Sequence, residues 1–350
     1  MPISKFRFTP DRVDFSAPLA EEDVYTLIEE RGLKVLQCSN PVDFQTWELL
    51  NSQFFTRRPD VQLRVYGFYL RTCDLSFASI MTNVRHFSAD CLMGAEGVEH
   101  IAAMEKLESL GVGIFHLQGF EFLNHVTPHL KKLFLGATES KKPDLSPLRR
   151  FQSLEAIYIE GQQKNIEVLS QMENLEDVTL RSISTPDISY LKPLHHMWSL
   201  DIKLGGIKNF SALEGMKNIK YLELWQIRGL SDINFVSGLF GLQYLFLQSL
   251  RQVVSLPSFE RLDHLRRIYL ENMKGLRDIL SLEHAPALQE LAMVSATNMK
   301  PDDCTPFLLN PNLRRVSCFF GSNQKNNRFK ELAREYKVEA MNGLGEFHFI

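Results

Sequence analysis

The sequence predicts an α/β solenoid: an arc of short repeats whose parallel strands line a concave face, with 3-10 turns on the convex face and a cap at each end. Two observations carry this. In the stretch 219–250, Ile219, Leu222 and Leu224 recur 23 residues on as Leu242, Leu245 and Leu247. Such a fixed period means that no repeat can bury its apolar face alone and each depends on its neighbours. The middle apolar residues of successive strands fall at Leu110, Leu133, Ile157, Val178, Leu200, Leu222, Leu245, Ile268, Leu291 and Val316, nine intervals of 21 to 25 residues. An apolar residue follows each by two, as in Leu180, Ile202, Leu224 and Leu247. Residues two apart in a strand share a face, so each pair points inward.

Residues 1–59 are expected to form an N-terminal cap and a first helix–strand unit, 60–320 the repeat array and 321–350 a C-terminal cap, in one continuous body. Phe6, Phe8, Val13 and Phe15 suggest an edge hairpin. Val24, Leu27 and Ile28 mark one side of a short helix that ends at Gly32. The strand "LKVLQCS" follows, and Phe44, Trp47, Leu50 and Phe54 then recur at helical spacing, a stripe that suits core packing better than a cofactor site. In the array, apolar residues of the return segment come every three positions, as in Ile233, Val236 and Leu239. That spacing suits 3-10 turns, since a repeat this short has little room for a strand and a full helix. At the far end Phe329, Leu332, Ala333 and Tyr336 predict a helix capped by Asn326 or Asn327, and "VEAM" a last strand. Both covers protect the core and strand edges that a bare solenoid exposes.

Lysine and arginine total 39 against 42 acidic residues, a net charge of -3. A protein that lives by neutralising phosphates carries a basic excess, so the balance disfavours nucleic acid as partner. The cysteines, 38, 73, 91, 304 and 318, are odd in number and form no CxxC pair, which fits a reducing compartment. The charged N-terminus without a long apolar core, and the absence of any run of about 18 apolar residues, predict a cytoplasmic protein without a membrane span.

The strands "LEAIYI", "LEDVTL", "IKYLEL", "LQYLFL" and "LRRIYL", with the "DI" turns after them, resemble the leucine-rich repeat family over about residues 60–320, in the short-repeat type of internalins and protein phosphatase regulatory subunits. The resemblance implies a protein-binding module without chemistry of its own. One departure concerns the asparagine that the family places three residues after the last strand leucine; Ile183, Ile227, Leu250 and Met273 stand there instead. The turns must therefore satisfy their backbone groups differently.

Signatures for a nucleophile elbow, a zinc-protease helix, a P-loop or a dinucleotide loop are absent. His195 and His196, and Asp302 and Asp303, read as surface turns rather than as a metal site or an acid–base pair, so neither metal nor cofactor is expected. The informative residues are those between the inward leucines. Asp201, Lys203, Tyr221, Glu223, Trp225, Tyr244, Phe246, Arg267, Tyr269 and Glu271 are expected on the concave face, its five aromatics open to water. Phe134 and Tyr158 would extend them towards the N-terminus. Cross-strand packing alone could account for such a set, but aromatics rimmed by charges have the anatomy of a protein interface. The favoured function is thus a cytoplasmic binding module that holds a protein partner on its concave face, in a sharper form an inhibitor or immunity-type protein. A homodimer across the same rows would leave the same composition. The alternative is an enzyme in the irregular N-terminal third, with Cys91 as nucleophile and His100 as base.

Overall fold

The computed structural model describes residues 5–68 and 71–350, so the first four residues of the expected cap lie outside the described residues. The chain packs as two compact units, Met1–Leu175 and Glu176–Ile350, and each is described by itself.

The first unit opens with β1 (Phe6–Phe8) and β2 (Arg12–Phe15), an antiparallel hairpin. Helix α1 (Glu21–Glu29) follows, with Val24 and Leu27 buried. The parallel strands are β3 (Val35–Cys38), β4 (Gln62–Tyr66), β6 (His86–Leu92), β8 (Ser109–Ile114), β9 (Lys132–Leu135) and β10 (Ala156–Glu160), continuing the hairpin in the order β1-β2-β3-β4-β6-β8-β9-β10. Two short segments, β5 (Cys73–Asp74) and β7 (Ala95–Glu96), pair with each other. Pairing sets Val13, Leu36, Leu63, Phe87, Leu110, Leu133 and Ile157 in one column. A second column two residues on takes Cys38 in the same inward sense, so this thiol is a small core hydrophobe.

The expected helical stripe differs in detail. Helix α2 (Phe44–Leu49) is capped by Asp43, whose side chain accepts from the Thr46 N–H. It runs into a π-helical turn at Leu50–Phe54. The wider turn shifts the register beyond it, so Phe55 is buried together with Leu50 and Phe54; ahead of it in α2, Trp47 is buried and Phe44, in the first turn, is exposed. Trp47 stacks on Phe77 at 4.0 Å. Gly111 and Gly113 lie within β8 rather than at its exit. A Cβ on Gly111 would stand 2.8 Å from that of Ser88 on the neighbouring strand, so only glycine lets the two backbones carry these side chains.

The second unit is the more regular. Strands β11 (Asp177–Arg181), β12 (Ser199–Lys203), β13 (Tyr221–Trp225), β14 (Tyr244–Gln248), β15 (Arg267–Glu271), β16 (Glu290–Val294), β17 (Arg315–Cys318) and β18 (Glu339–Ala340) pair in chain order, all parallel. Val178, Leu200, Leu222, Leu245, Ile268, Leu291 and Val316 form one buried column. Leu180, Ile202, Leu224, Leu247, Leu270, Met293 and Cys318 form the second. The chain returns through 3-10 turns such as Ser189–Leu191, Asn234–Gly238 and Leu280–His284. A four-residue helix α3 (Thr305–Leu308) and the longer α4 (Asn323–Glu335) close the end. The cap of α4 is Ser322, which accepts from the Lys325 N–H. The expected cap Asn326 lies inside the helix and accepts from the Phe320 N–H instead.

Two backbone devices replace the missing asparagine. Just past each of β11 to β16 one residue turns left-handed: Ser182, Leu204, Gln226, Ser249, Asn272 and Ser295, with φ between 51° and 61°. From Ser182 to Asn272 its N–H donates to a carbonyl at the end of the next strand, as Gln226 does to Gln248 at 2.8 Å. The corner thereby extends the ladder by one bond and turns Ile183, Ile227, Leu250 and Met273 into the core. The second device is an Asx turn. The side chains of Asp187, Asn209, Asp232 and Asp278 accept from the N–H two residues on and start the 3-10 turn, and Asp74 and Asp144 do the same in the first unit.

Gln226 is exposed, so substitutions there report on backbone strain without packing. Left-handed backbone disfavours β-branched side chains most and glycine least. Gln226→Val is expected to lower stability by roughly 1–2 kcal/mol and Gln226→Gly to hold or slightly raise it, read by urea unfolding; equal stabilities would show that the corner carries no strain.

Candidate protein-interaction face

Because side chains alternate, the residues between the buried columns of the second unit stand on the opposite face of the sheet. Pairing arranges them in three rows. The first holds Asp177, Ser199, Tyr221, Tyr244, Arg267, Glu290 and Arg315; the second Asp201, Glu223, Phe246 and Tyr269; the third Arg181, Lys203, Trp225, Gln248 and Glu271. The ten residues singled out from the sequence thus share one face. Tyr221 and Tyr244 meet edge to face at 5.2 Å, Phe246 and Tyr269 at 4.8 Å. The Arg181 guanidinium lies 5.7 Å from the Trp225 ring.

The charges form two knots. Lys203 Nζ bridges Asp201 (3.1 Å) and Glu223 (3.2 Å), and the Tyr221 hydroxyl donates to Glu223 at 2.9 Å. Burial, then the charge of Glu223, pushes the Asp201 carboxyl up to about 6. Burial pulls the Lys203 ammonium down, but the two carboxylates outweigh it and hold it above its usual value. In the other knot Arg267 donates from Nε to Glu290 at 2.6 Å, and Arg315 pairs with the same carboxylate. Arg267 is only 4% exposed.

None of the five aromatics is fully exposed, and the expectation of an aromatic surface open to water is corrected most clearly in the first row. The reason is the C-terminal segment. After β18 the chain turns back over Tyr221, Tyr244 and Arg267. Arg267 donates to the carbonyls of Leu344 (3.0 Å) and Gly345 (2.9 Å), and Arg266 to that of His348 (2.6 Å). Phe347 sits 5.2 Å from the Tyr244 ring, and Phe349 contacts Tyr221 and Trp198. Gln243, buried at the entrance of β14, exchanges both hydrogen bonds with the Ile350 backbone, at 2.8 and 2.9 Å. The sequence had not marked Gln243, Arg266, Trp198 or Glu290. The alternation of Phe347 and Phe349 after two glycines was the available signal.

No protein-family model matches the chain, and no curated protein matches it. Solved structures do. An internalin (InlF) from Listeria monocytogenes superposes with a TM-score of 0.57 at 18% identity, over 96% of this chain and 87% of that one. The fold is a leucine-rich repeat. TLR13, solved in complex with the single-stranded RNA ssRNA13, superposes with a TM-score of 0.53 at 13% identity, over 94% of this chain and 61% of that one. The leucine-rich repeat accounts for the parallel ladder, the paired apolar columns and the 3-10 returns.

The residues proposed for an enzyme site belong to the first unit. Cys91, one residue before the end of β6, is left-handed and exposed. His100 lies on the 3-10 turn Val98–Ala103, so the two stand on different elements, a strand end and a return turn. Partial burial and the neighbouring Asp90 push the Cys91 thiol up, against the opposing pull of Arg64. Asp90 itself is held by the Arg64 guanidinium. A raised thiol is the opposite of what a nucleophile needs. Phe134 stacks on Tyr158 at 4.2 Å on the same unit, and Phe134 remains 38% exposed. Among the described residues no group of three or more His, Cys, Asp or Glu is placed to hold a metal ion, and no helix is long and apolar enough to cross a membrane.

Two measurements follow from these charges. The Asp201 carboxyl is raised above its unfolded value, so the folded state binds the extra proton between about pH 4 and 6, and its contribution falls as pH rises through that window. Asp201→Asn is therefore expected to gain on the order of 1–3 kcal/mol relative to wild type between pH 4.5 and 7.5, seen in denaturant midpoints; a constant difference would show that Asp201 titrates normally. Cys91 is expected to alkylate with iodoacetamide at pH 7.5 more slowly than a free model thiol; a faster rate would revive the nucleophile.

Proposed function

We propose that this leucine-rich repeat chain is a non-enzymatic, cytoplasmic binding module that holds a protein partner on the sheet face of its second unit. One observation carries the reading. Trp225, Phe246 and Tyr269 stand together half-exposed, with the charged Asp201–Lys203–Glu223 knot on one side and Gln248–Glu271, joined at 3.1 Å, on the other. An aromatic centre with a polar rim is how protein interfaces are built. Strands supply a rigid base, so little ordering cost attends binding.

The half-buried acidic knot suits a basic partner surface. This supports the sharper form of an inhibitor or immunity-type protein that covers a basic active site, with the partner's cation taking the place of Lys203 beside Asp201. It also counts against a polyanionic ligand such as the RNA held by TLR13.

Affinity capture from the native cytoplasm tests the reading, with wild type beside a Trp225→Ala, Phe246→Ala, Tyr269→Ala variant of matched melting temperature. Capture of a partner by wild type and its loss from the variant, an affinity drop of at least about 30-fold for a hot-spot cluster, is expected. Equal capture would move the interface elsewhere; capture of the chain itself would make it a homodimer face.

A further inference from the structure

The first row of the sheet face already holds a ligand: residues 344–350 of the same chain. The contacts are those of a peptide receptor. Side chains of the sheet read the segment's backbone, Arg267 at Leu344 and Gly345, Arg266 at His348, and Gln243 with Lys220 at Ile350. Phe347 and Phe349 are two apart and lie on the aromatic rows, whereas Glu346 and His348, which flank Phe347, are exposed. Phe347 also receives the Arg266 and Arg267 guanidinium groups at 4.7 and 5.1 Å.

The hold is shallow. Leu344 is the one buried side chain of the segment, Phe349 is 39% exposed and Ile350 82%. The segment joins no strand ladder, and it arrives through Gly343 and Gly345, whose positive φ of 153° and 69° only glycine adopts easily. Such a stretch opens at low cost while the sheet stays folded. Phe349 and Ile350 also border a groove of about 1020 Å³ at the entrances of the strands, lined among others by His195, His196, Trp198, Lys217 and Asp263. His195 and His196, expected as surface turn residues, both face this groove.

We propose that the row Tyr221–Tyr244–Arg267, with Gln243 and Arg266, is a receptor for an extended protein segment bearing two aromatic residues two positions apart, and that residues 344–350 occupy it in cis until a partner's segment of this kind displaces them. This rests on the protein-binding reading and names the form its partner takes. Recognition is through backbone carbonyls and two aromatic rings, so the partner needs the aromatic spacing and an extended backbone rather than one fixed sequence.

The test titrates a fluorescent peptide Leu-Gly-Glu-Phe-His-Phe-Ile into the full chain and into its Phe347→Ala, Phe349→Ala variant, both checked for equal melting. The variant is expected to bind the peptide at least tenfold more tightly than wild type. Adding Gln243→Ala should weaken that binding at least tenfold, and a peptide with both phenylalanines replaced by alanine should not bind. Absence of peptide binding to the loosened variant, or binding indifferent to Gln243, would overturn the proposal. Should the variant melt early, hydrogen exchange on wild type decides: excess peptide must speed exchange at the Ile350 amide, which donates to Gln243, and leave β13 to β15 unchanged, and an Ile350 amide whose exchange the peptide does not alter sinks it. A negative peptide result beside a partner still lost from the Trp225, Phe246, Tyr269 variant would remove this inference alone and leave the protein-binding reading standing.

Discussion

Everything in each unit depends on the alignment of two apolar columns by a parallel ladder. A single repeat of about 23 residues has one strand and one 3-10 return, and neither can bury its apolar side without the repeats before and after. The ladder fixes which residues meet: a slip of one position would send Leu222 and Leu224 to the open face and Tyr221, Glu223 and Trp225 into the core. The hydrophobic effect and the hydrogen-bond pattern therefore select the same register. The rows of the open face are a by-product of that selection, since they are whatever stands between the columns.

The columns were readable because their signal is local and repeated. Leu200, Leu222 and Leu245 each announce their role within a few residues, and the period does the rest. The departures were not readable, for physical reasons that differ. Phe55 joined the buried stripe because a π-helical turn changed the number of residues per turn, which an apolar spacing rule assumes constant. Ser322 displaced Asn326 as helix cap because the first turn of α4 is polar throughout and offers no periodicity to locate its start. The left-handed corners are written in no residue type: serine, leucine, glutamine and asparagine all take the position.

The face itself was half legible. Its ten residues could be assigned to one side by alternation alone, and the charge knot of Asp201, Lys203 and Glu223 follows once the register is known. Its cover could not be assigned. The bonds between Arg267 and the C-terminal segment span 77 and 78 residues, and they end on backbone carbonyls, which every residue carries. A contact between a side chain and a distant backbone leaves no compositional trace, so a burial such as that of Arg267 is visible only in three dimensions.

That segment also changes the kind of polymer the second unit is. An array of repeats that touch only their neighbours behaves as a one-dimensional chain, in which the last repeats can fray without consulting the middle. The bonds from Ile350 to Gln243 and Lys220 reach across 107 and 130 residues, and they join the end of the array to β13 and β14. Fraying at β17 or β18 then forfeits contacts in the centre. Release of the segment would return the terminal repeats to independent melting, so occupancy of the face and cooperativity of the fold are two readings of one equilibrium.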